Sequence, residues 1–315
     1  MGRNASGHQA LGETEVTPQL KATLIGGTAV LMWGGLALLT SLSGRVPPFQ
    51  LVAMSFSIAA ALGLAKWILH GDAPLAYARQ PLAVWMLGVG GLFGFHFFYF
   101  MALRNAPAVE AGLIAYLWPL LIVLFSALLP GGGLRWWHVA GAVLGFAGCA
   151  LIVTGGGSVV FREEYALGYA SALACACTWA TYSVVSRRYS AVPSDTIAWF
   201  CAVTAAFGLL CHLIFEETVW PADALQWTAV LLLGLGPVGA AFFVWDHGVK
   251  HGDIRALGGF SYAAPLISTV LLVLFGHATA TWVIAVACLA IMAGAVLAAR
   301  DLFATPPRDP VEKKI

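Results

Sequence analysis

An offset of 146 residues lays the second half of the chain on the first without a gap. Trp33 falls on Trp179, Pro47 on Pro193, and Gly88 and Gly90 on Gly234 and Gly236. Arg104 falls on Lys250, Tyr116 on Tyr262, Pro119 on Pro265, Trp136 on Trp282 and Gly148 on Gly294. In so apolar a chain most positions match by composition alone, so the rare residues, Trp and Pro, carry the repeat. A duplication on this scale restricts the possible architectures before any local feature is considered. In membrane proteins it points to transport.

The 315 residues are 60% hydrophobic and only 10% charged, against roughly 25% charged in soluble domains. Most of the mass must therefore lie in lipid. Spans of about 20 apolar residues can be read near 22–41, 49–69, 82–104, 107–129, 136–155, 166–187, 195–215, 224–249, 254–275 and 281–299. The links between them are short and rich in turn residues, such as Pro47-Pro48, Gly71-Asp72, Asn105-Ala106-Pro107, Pro130-Gly131-Gly132-Gly133, Gly155-Gly156-Gly157 and Pro193-Ser194-Asp195. The expected organisation is a polar tail over 1–20, one five-helix repeat over 21–156, a second over 166–300, and a tail over 301–315. Residues 1–20 lack the apolar core of a signal peptide. Met1-Gly2-Arg3-Asn4-Ala5-Ser6 fits both a myristoylation and a glycosylation pattern, but both patterns are short and common.

Lys and Arg set the orientation. With the N-terminus in the cytosol, the inner segments hold Arg3, Lys21, Lys66, Arg79, Arg135, Arg187, Arg188, Lys250, Arg255, Arg300, Arg308, Lys313 and Lys314. The outer ones hold only Arg45, Arg104 and Arg162. Both termini are expected in the cytoplasm, with the protein in the inner (plasma) membrane. Five spans per repeat is an odd number, so the second copy enters from the opposite side. The expected fold is an all-α, polytopic, ten-helix protein built as two inverted repeats around a central cavity.

Trp and Tyr normally gather at the membrane interfaces, and Trp67, Trp136, Trp137, Trp199, Trp220, Trp227 and Trp282 suit that role. Others lie too deep. Trp33, Trp118, Trp179, Tyr182 and Tyr262 are mid-span, His96 and Tyr99 share a face of the third span, and Tyr99 falls on Trp245. Buried indole, phenol and imidazole groups need polar partners or water. These eight residues, His96, Tyr99, Trp118, Trp179, Trp33, Tyr182, Trp245 and Tyr262, are the candidate substrate-binding set. Tyr116 is about 200° from Trp118 on an ideal helix and is left out. Pro119 and Pro265 interrupt spans 4 and 9 at equivalent places and are candidate hinges. The GxxxG spacings at Gly90–Gly94 and Gly141–Gly145 read as packing.

Charge is scarce at depth. Only Asp246 and Glu110 are acids within or near the spans, neither has an opposite charge at its own depth, and each is a possible proton or cation site. A centred charge costs at least about 2.5–3.5 kcal/mol, so the cavity suits a small substrate that is neutral overall. The net charge of +1 gives no basic patch for nucleic acid. Cys149, Cys175, Cys177, Cys201, Cys211 and Cys288 all lie in apolar segments and read as buried thiols. No H-E-x-x-H, G-x-S-x-G or acid-rich metal motif occurs, so neither an enzyme, a metal site nor a cofactor is expected. His70-Gly71-Asp72 and His251-Gly252-Asp253 fall at turns and break the repeat spacing. No obligate protein partner is evident.

Several short strings then fall together in order. They are Lys21-Ala-Thr-Leu-Ile-Gly26, Tyr116-Leu-Trp-Pro119, Trp179-Ala-Thr-Tyr182, His251-Gly252, and Ser261-Tyr262 followed by Pro265. With the ten-span repeat, they resemble the EamA-type branch of the drug/metabolite transporter superfamily, and within it the YddG-type aromatic amino-acid exporters. The resemblance implies export of aromatic and other neutral amino acids, with His96, Tyr99 and Trp118 similar in position to residues of a central cavity. A multidrug or quaternary-cation exporter of the same fold is the alternative. Trp118 falls on Ala264 and His96 on Phe242, so the expected pocket breaks the symmetry of its scaffold on spans 3 and 4.

Overall fold

A computed structural model of the chain describes residues 17–129, 133–275, 279 and 281–302. The tails, the Met1–Ser6 pattern and the Pro130-Gly131-Gly132 turn lie outside these. The described residues are mostly helical, with no strand among them. Eight helical stretches are long and apolar enough to cross a membrane.

The longer helices of the described residues are numbered in chain order. They are α1 (Pro18–Leu42), α2 (Pro48–His70), α3 (Leu82–Asn105), α4 (Ala108–Ser126), α5 (Trp136–Thr154), α6 (Ala166–Ser186), α7 (Ile197–Phe215), α8 (Ala224–His251), α9 (Ile254–Phe260 continued by Ala263–Leu274) and α10 (Trp282–Ala298). α6 is long enough to span, but its many Ala, Ser, Thr and Cys residues make it less apolar. One whole side of it is buried against α3 and α4, so it needs less lipid-facing surface. α10 is the shorter apolar helix.

Local chemistry marks the helix ends. Pro18 opens α1 behind Thr17, whose hydroxyl accepts from the Leu20 N–H. Asp223, Asp253 and Thr281 cap α8, α9 and α10 in the same way. α2 starts on Pro48 and ends at Gly71, whose φ of 72° belongs to the left-handed region. Its N-terminus is capped from a distance. The buried Glu216 carboxylate, just past α7, accepts from the N–H groups of Phe49 and Gln50 at 3.0–3.1 Å. His212 braces that carboxylate at 3.1 Å.

The helices pair α1 with α8, α3 with α6, α2 with α7, and α5 with α10. Small residues set the crossings. A Cβ added to Gly26 would lie 2.8 Å from the Gly248 Cα, and one on Gly141 2.6 Å from the Gly294 carbonyl oxygen. On α5 and α10, Gly141 meets Gly294 while Gly148 meets Ala287, so the two run antiparallel. The Gly141–Gly145 spacing is thus a packing device, as expected.

Pro119 and Pro265 lie just beyond real breaks. α4 divides into Ala108–Ala115 and Trp118–Ser126, and α9 divides after Phe260. Two further interruptions were not anticipated. α1 has a turn at Gly35, and α8 carries a π-helical turn over Gly236–Ala240 around Pro237. All six cysteines are free thiols.

Candidate functional site

Four tryptophans from four helices meet in the middle of the bundle. They are Trp33 of α1, Trp118 of α4, Trp179 of α6 and Trp245 of α8. Their six mutual ring-centroid distances all lie between 5.0 and 6.4 Å. Most of the contacts are edge-to-face or tilted, the arrangement ring quadrupoles favour. Phe242, which the sequence reading left out, closes the group at 6.2 Å from Trp33 and 5.6 Å from Trp179.

Two of the four indoles are fixed. Trp33 Nε1 donates to the Pro237 carbonyl at 3.0 Å, and Trp245 Nε1 donates to Ser183 Oγ at 3.1 Å. Trp118 and Trp179 make no hydrogen bond through Nε1 among the described residues. Both are nearly enclosed, so their N–H groups are the donors this box has to offer.

His96 and Tyr99 border the box from α3. The His96 ring lies 5.1 Å from Phe56 on α2 and 6.5 Å from Phe242 on α8, so it points into the bundle. It is half-buried. His96 Nδ1 lies 2.7 Å from the Leu92 carbonyl. A carbonyl only accepts, so Nδ1 carries the proton and, in the neutral ring, Nε2 is left as an acceptor. Tyr99, also half-buried, stacks on Phe95, and Phe95 touches Trp179 at 5.6 Å.

Tyr182 is buried one turn beyond Trp179, 5.1 Å from it between centroids. Its hydroxyl donates to Asp246 at 3.3 Å, not toward the indoles. Asp246 was expected to lack an opposite charge at its depth. The structure corrects this, because Lys250 Nζ lies 2.7 Å from its carboxylate and both side chains are buried. Glu110 is half-buried, and its Oε2 has no hydrogen-bond partner among the described residues.

Tyr262 does not belong to the box. It is fully buried with Cys149 and Ile291 between α5 and α10, and Tyr116 packs in the same cluster. The Tyr262 hydroxyl accepts from the Leu120 N–H at 3.2 Å. Leu120 follows Pro119, where the regular helical bonding of α4 fails, so Tyr262 satisfies a donor freed by the break. Trp67 is likewise no interface anchor. It is buried and stacked on Tyr77.

The two ends of the bundle differ. At the Lys250 end, Arg187 donates to the carbonyls of Val249 and Gly252 at 2.8 and 2.9 Å, binding the end of α6 to the end of α8. At the other end Arg104, the repeat counterpart of Lys250, is 46% exposed and reaches Glu216 only at 3.8 Å.

A membrane-embedded helical bundle with an aromatic box at its centre is the frame of a small-molecule carrier. The model of the EamA-like transporter family matches the chain twice, over residues 20–154 and 166–300, and the chain belongs to that family. It is 54% identical over 278 residues to the aromatic amino acid exporter YddG of Ancylobacter novellus, covering 88% of this chain and 96% of that protein. The aromatic amino acid exporter YddG of Salmonella typhimurium is 28% identical over 262 residues, covering 80% and 87%. The pseudopaline exporter CntI of Pseudomonas aeruginosa is 27% identical over 205 residues, covering 63% and 68%. A solved crystal structure at 52% identity superposes with a TM-score of 0.85, covering 90% of this chain and 99% of that one. The protein is thus a multi-pass membrane protein of a transporter family.

Proposed function

We propose that the chain exports aromatic and other neutral amino acids across the inner membrane, and that the four-tryptophan box bordered by His96 and Tyr99 receives the substrate. The box carries this reading. It offers aromatic edges and faces to a side chain, the Trp118 and Trp179 N–H groups to a carboxylate, and His96 Nε2 and ring faces to an ammonium group. No fixed charge lies in it to hold the substrate tightly, which suits export from a concentrated pool. The names of the YddG relatives support the same substrate class.

All ten helices cross the membrane in this reading, and the two halves are inverted repeats. The pairings support this, since α1 on α8 becomes α6 on α3 when the halves are exchanged, while the α2–α7 and α5–α10 pairs map onto themselves. The Lys250 end faces the cytosol. Lys66, Arg135, Arg187, Lys250, Arg255 and Arg300 collect there, as the positive-inside rule requires. In this reading the bundle is closed at that end and opens on the side of His96. Transport follows by alternating access, with α4 and α9 bending at the breaks next to Pro119 and Pro265.

The test is counterflow in proteoliposomes with labelled Phe, Trp, Thr and Met. Saturable exchange of at least one aromatic amino acid is expected. No exchange of any of them by monodisperse protein refutes the reading. A box of indoles without an acid also resembles the cages that bind quaternary ammonium groups. Tetraalkylammonium ions therefore belong in the same panel, and exchange of these alone would favour the multidrug reading.

A further inference from the structure

Asp246 is a buried carboxylate held by three side chains. One carboxylate oxygen lies 2.7 Å from Lys250 Nζ and 2.6 Å from Ser194 Oγ. The other accepts from the Tyr182 hydroxyl at 3.3 Å. Lys250 in turn donates to the Val192 carbonyl at 3.0 Å. The Asp246 and Lys250 side chains are only 3% and 5% exposed. This one network joins α6, the 189–196 segment and α8.

The counterparts 146 residues earlier are Leu36 for Tyr182, Pro48 for Ser194, Phe100 for Asp246 and Arg104 for Lys250. None of these four carries a carboxylate or a hydroxyl, and the buried Glu216 carboxylate at that end is held by His212 and the α2 N–H groups, with the half-exposed Arg104 only at 3.8 Å. Tyr182 also packs against Trp179, so the network touches the aromatic box directly.

We propose that Tyr182, Ser194, Asp246 and Lys250 form a one-sided latch that holds the cytosolic end of the pathway shut and reports to the substrate box through Tyr182 and Trp179. The proposal rests on reading the chain as an alternating-access carrier. A buried ion pair is well matched to a latch. Its two charges are rehydrated when the end opens, so opening is not prohibitive, whereas removing one partner strands the other in the closed state. Because the opposite end has no buried lysine–carboxylate pair, Arg104 being half-exposed, the two conformations are unequal in energy, and the outward-open one is the resting state. A substrate that shifts Trp179 displaces Tyr182 and loosens one bond of the latch. Tyr182 is therefore a positioning residue that couples occupancy to gating.

Hydrogen–deuterium exchange on the full-length protein in lipid nanodiscs, without substrate, tests the latch. Asp246→Asn, Lys250→Met and the milder Ser194→Ala should each raise exchange across 179–196 and 241–253 by at least about tenfold, while 95–105 stays unchanged or becomes more protected. Lys250→Arg, which keeps the charge, should retain wild-type protection. Unchanged exchange in the first three variants overturns the proposal. So does equal loss in Lys250→Arg and Lys250→Met, or a rise spread evenly over all ten helices, which would mean that the pair holds the fold together. The readout needs no substrate. Failure of wild-type counterflow would therefore remove the exporter reading and leave the latch, while intact counterflow with unaltered exchange would remove only the latch.

Discussion

The indole N–H of Trp33 donates to the carbonyl of Pro237 across the α1–α8 crossing, at 3.0 Å. That carbonyl lies in the π-helical turn Gly236–Ala240, where the regular bonding of α8 is interrupted. The turn thus supplies an acceptor inside a helix and uses it to set one wall of the aromatic box. Trp33→Phe keeps the ring but leaves the carbonyl unpaired. It should lower stability by about 1–3 kcal/mol, read as an earlier thermal unfolding transition of the purified protein. An unchanged transition would show that the bond contributes nothing.

The box and its border are separable from the scaffold around them. Trp118→Ala and His96→Ala should each slow aromatic amino-acid counterflow by at least about tenfold, the loss of roughly 1.4 kcal/mol of favourable contact, with insertion and monodispersity preserved. Wild-type rates in both variants would dismiss the site.

Tyr262 serves as the control for that experiment. Tyr262→Phe removes the hydroxyl that meets the Leu120 N–H next to the Pro119 break. A loss of about 1 kcal/mol in stability is expected, with the order of preference among amino acids unchanged. A changed preference would return Tyr262 to the binding set.

At the Gly26–Gly248 crossing the backbones of α1 and α8 leave no room for a side chain. Gly248→Ala should destabilise the protein by about 1–3 kcal/mol through overpacking. Gly90 has open space around it, so Gly90→Ala should be close to neutral. Thermal unfolding of the two variants side by side checks the pair, and equal behaviour would contradict the packing described.

Glu216 ties α7 to the first turn of α2 through three N–H···O contacts to two backbone groups. Glu216→Gln keeps an acceptor but loses the charge-assisted bonds, which are about twice as strong as neutral ones. A measurable drop in unfolding temperature is expected, together with faster hydrogen exchange at residues 48–52. No change at those residues would rule out the capping role.

The repeat made much of this legible. Trp33 and Trp179 stood out as deep indoles at matching positions, and Trp118 and Trp245 followed from their neighbours. Tyr262 was misplaced although the means to exclude it were present. Tyr116, its counterpart, had already been put on the face opposite Trp118, and the same geometry applies to Tyr262. Phe242, Phe56 and Phe95 carried no signal in a chain with so many phenylalanines. The Asp246–Lys250 spacing of four residues is a pairing distance on any helix, but Lys250 lies at the span end, where a lysine in water explains itself without a partner. Ser194, Val192 and Tyr182 are far off in sequence, and only the packing of α6 against α8 reveals their part. Pro237 is a mid-span proline in the sequence, but residue type does not distinguish a π turn from other interruptions of a helix.

The crossing of α5 and α10 reaches beyond this molecule. Gly141 meets Gly294 as Gly148 meets Ala287, and exchanging the halves turns one contact into the other. The surface is therefore self-complementary. If the halves are inverted repeats as proposed, a single five-helix half inserted in both orientations would have found in its own upside-down copy a partner shaped to receive it. The joint between the halves could thus have predated the linker that now fuses them.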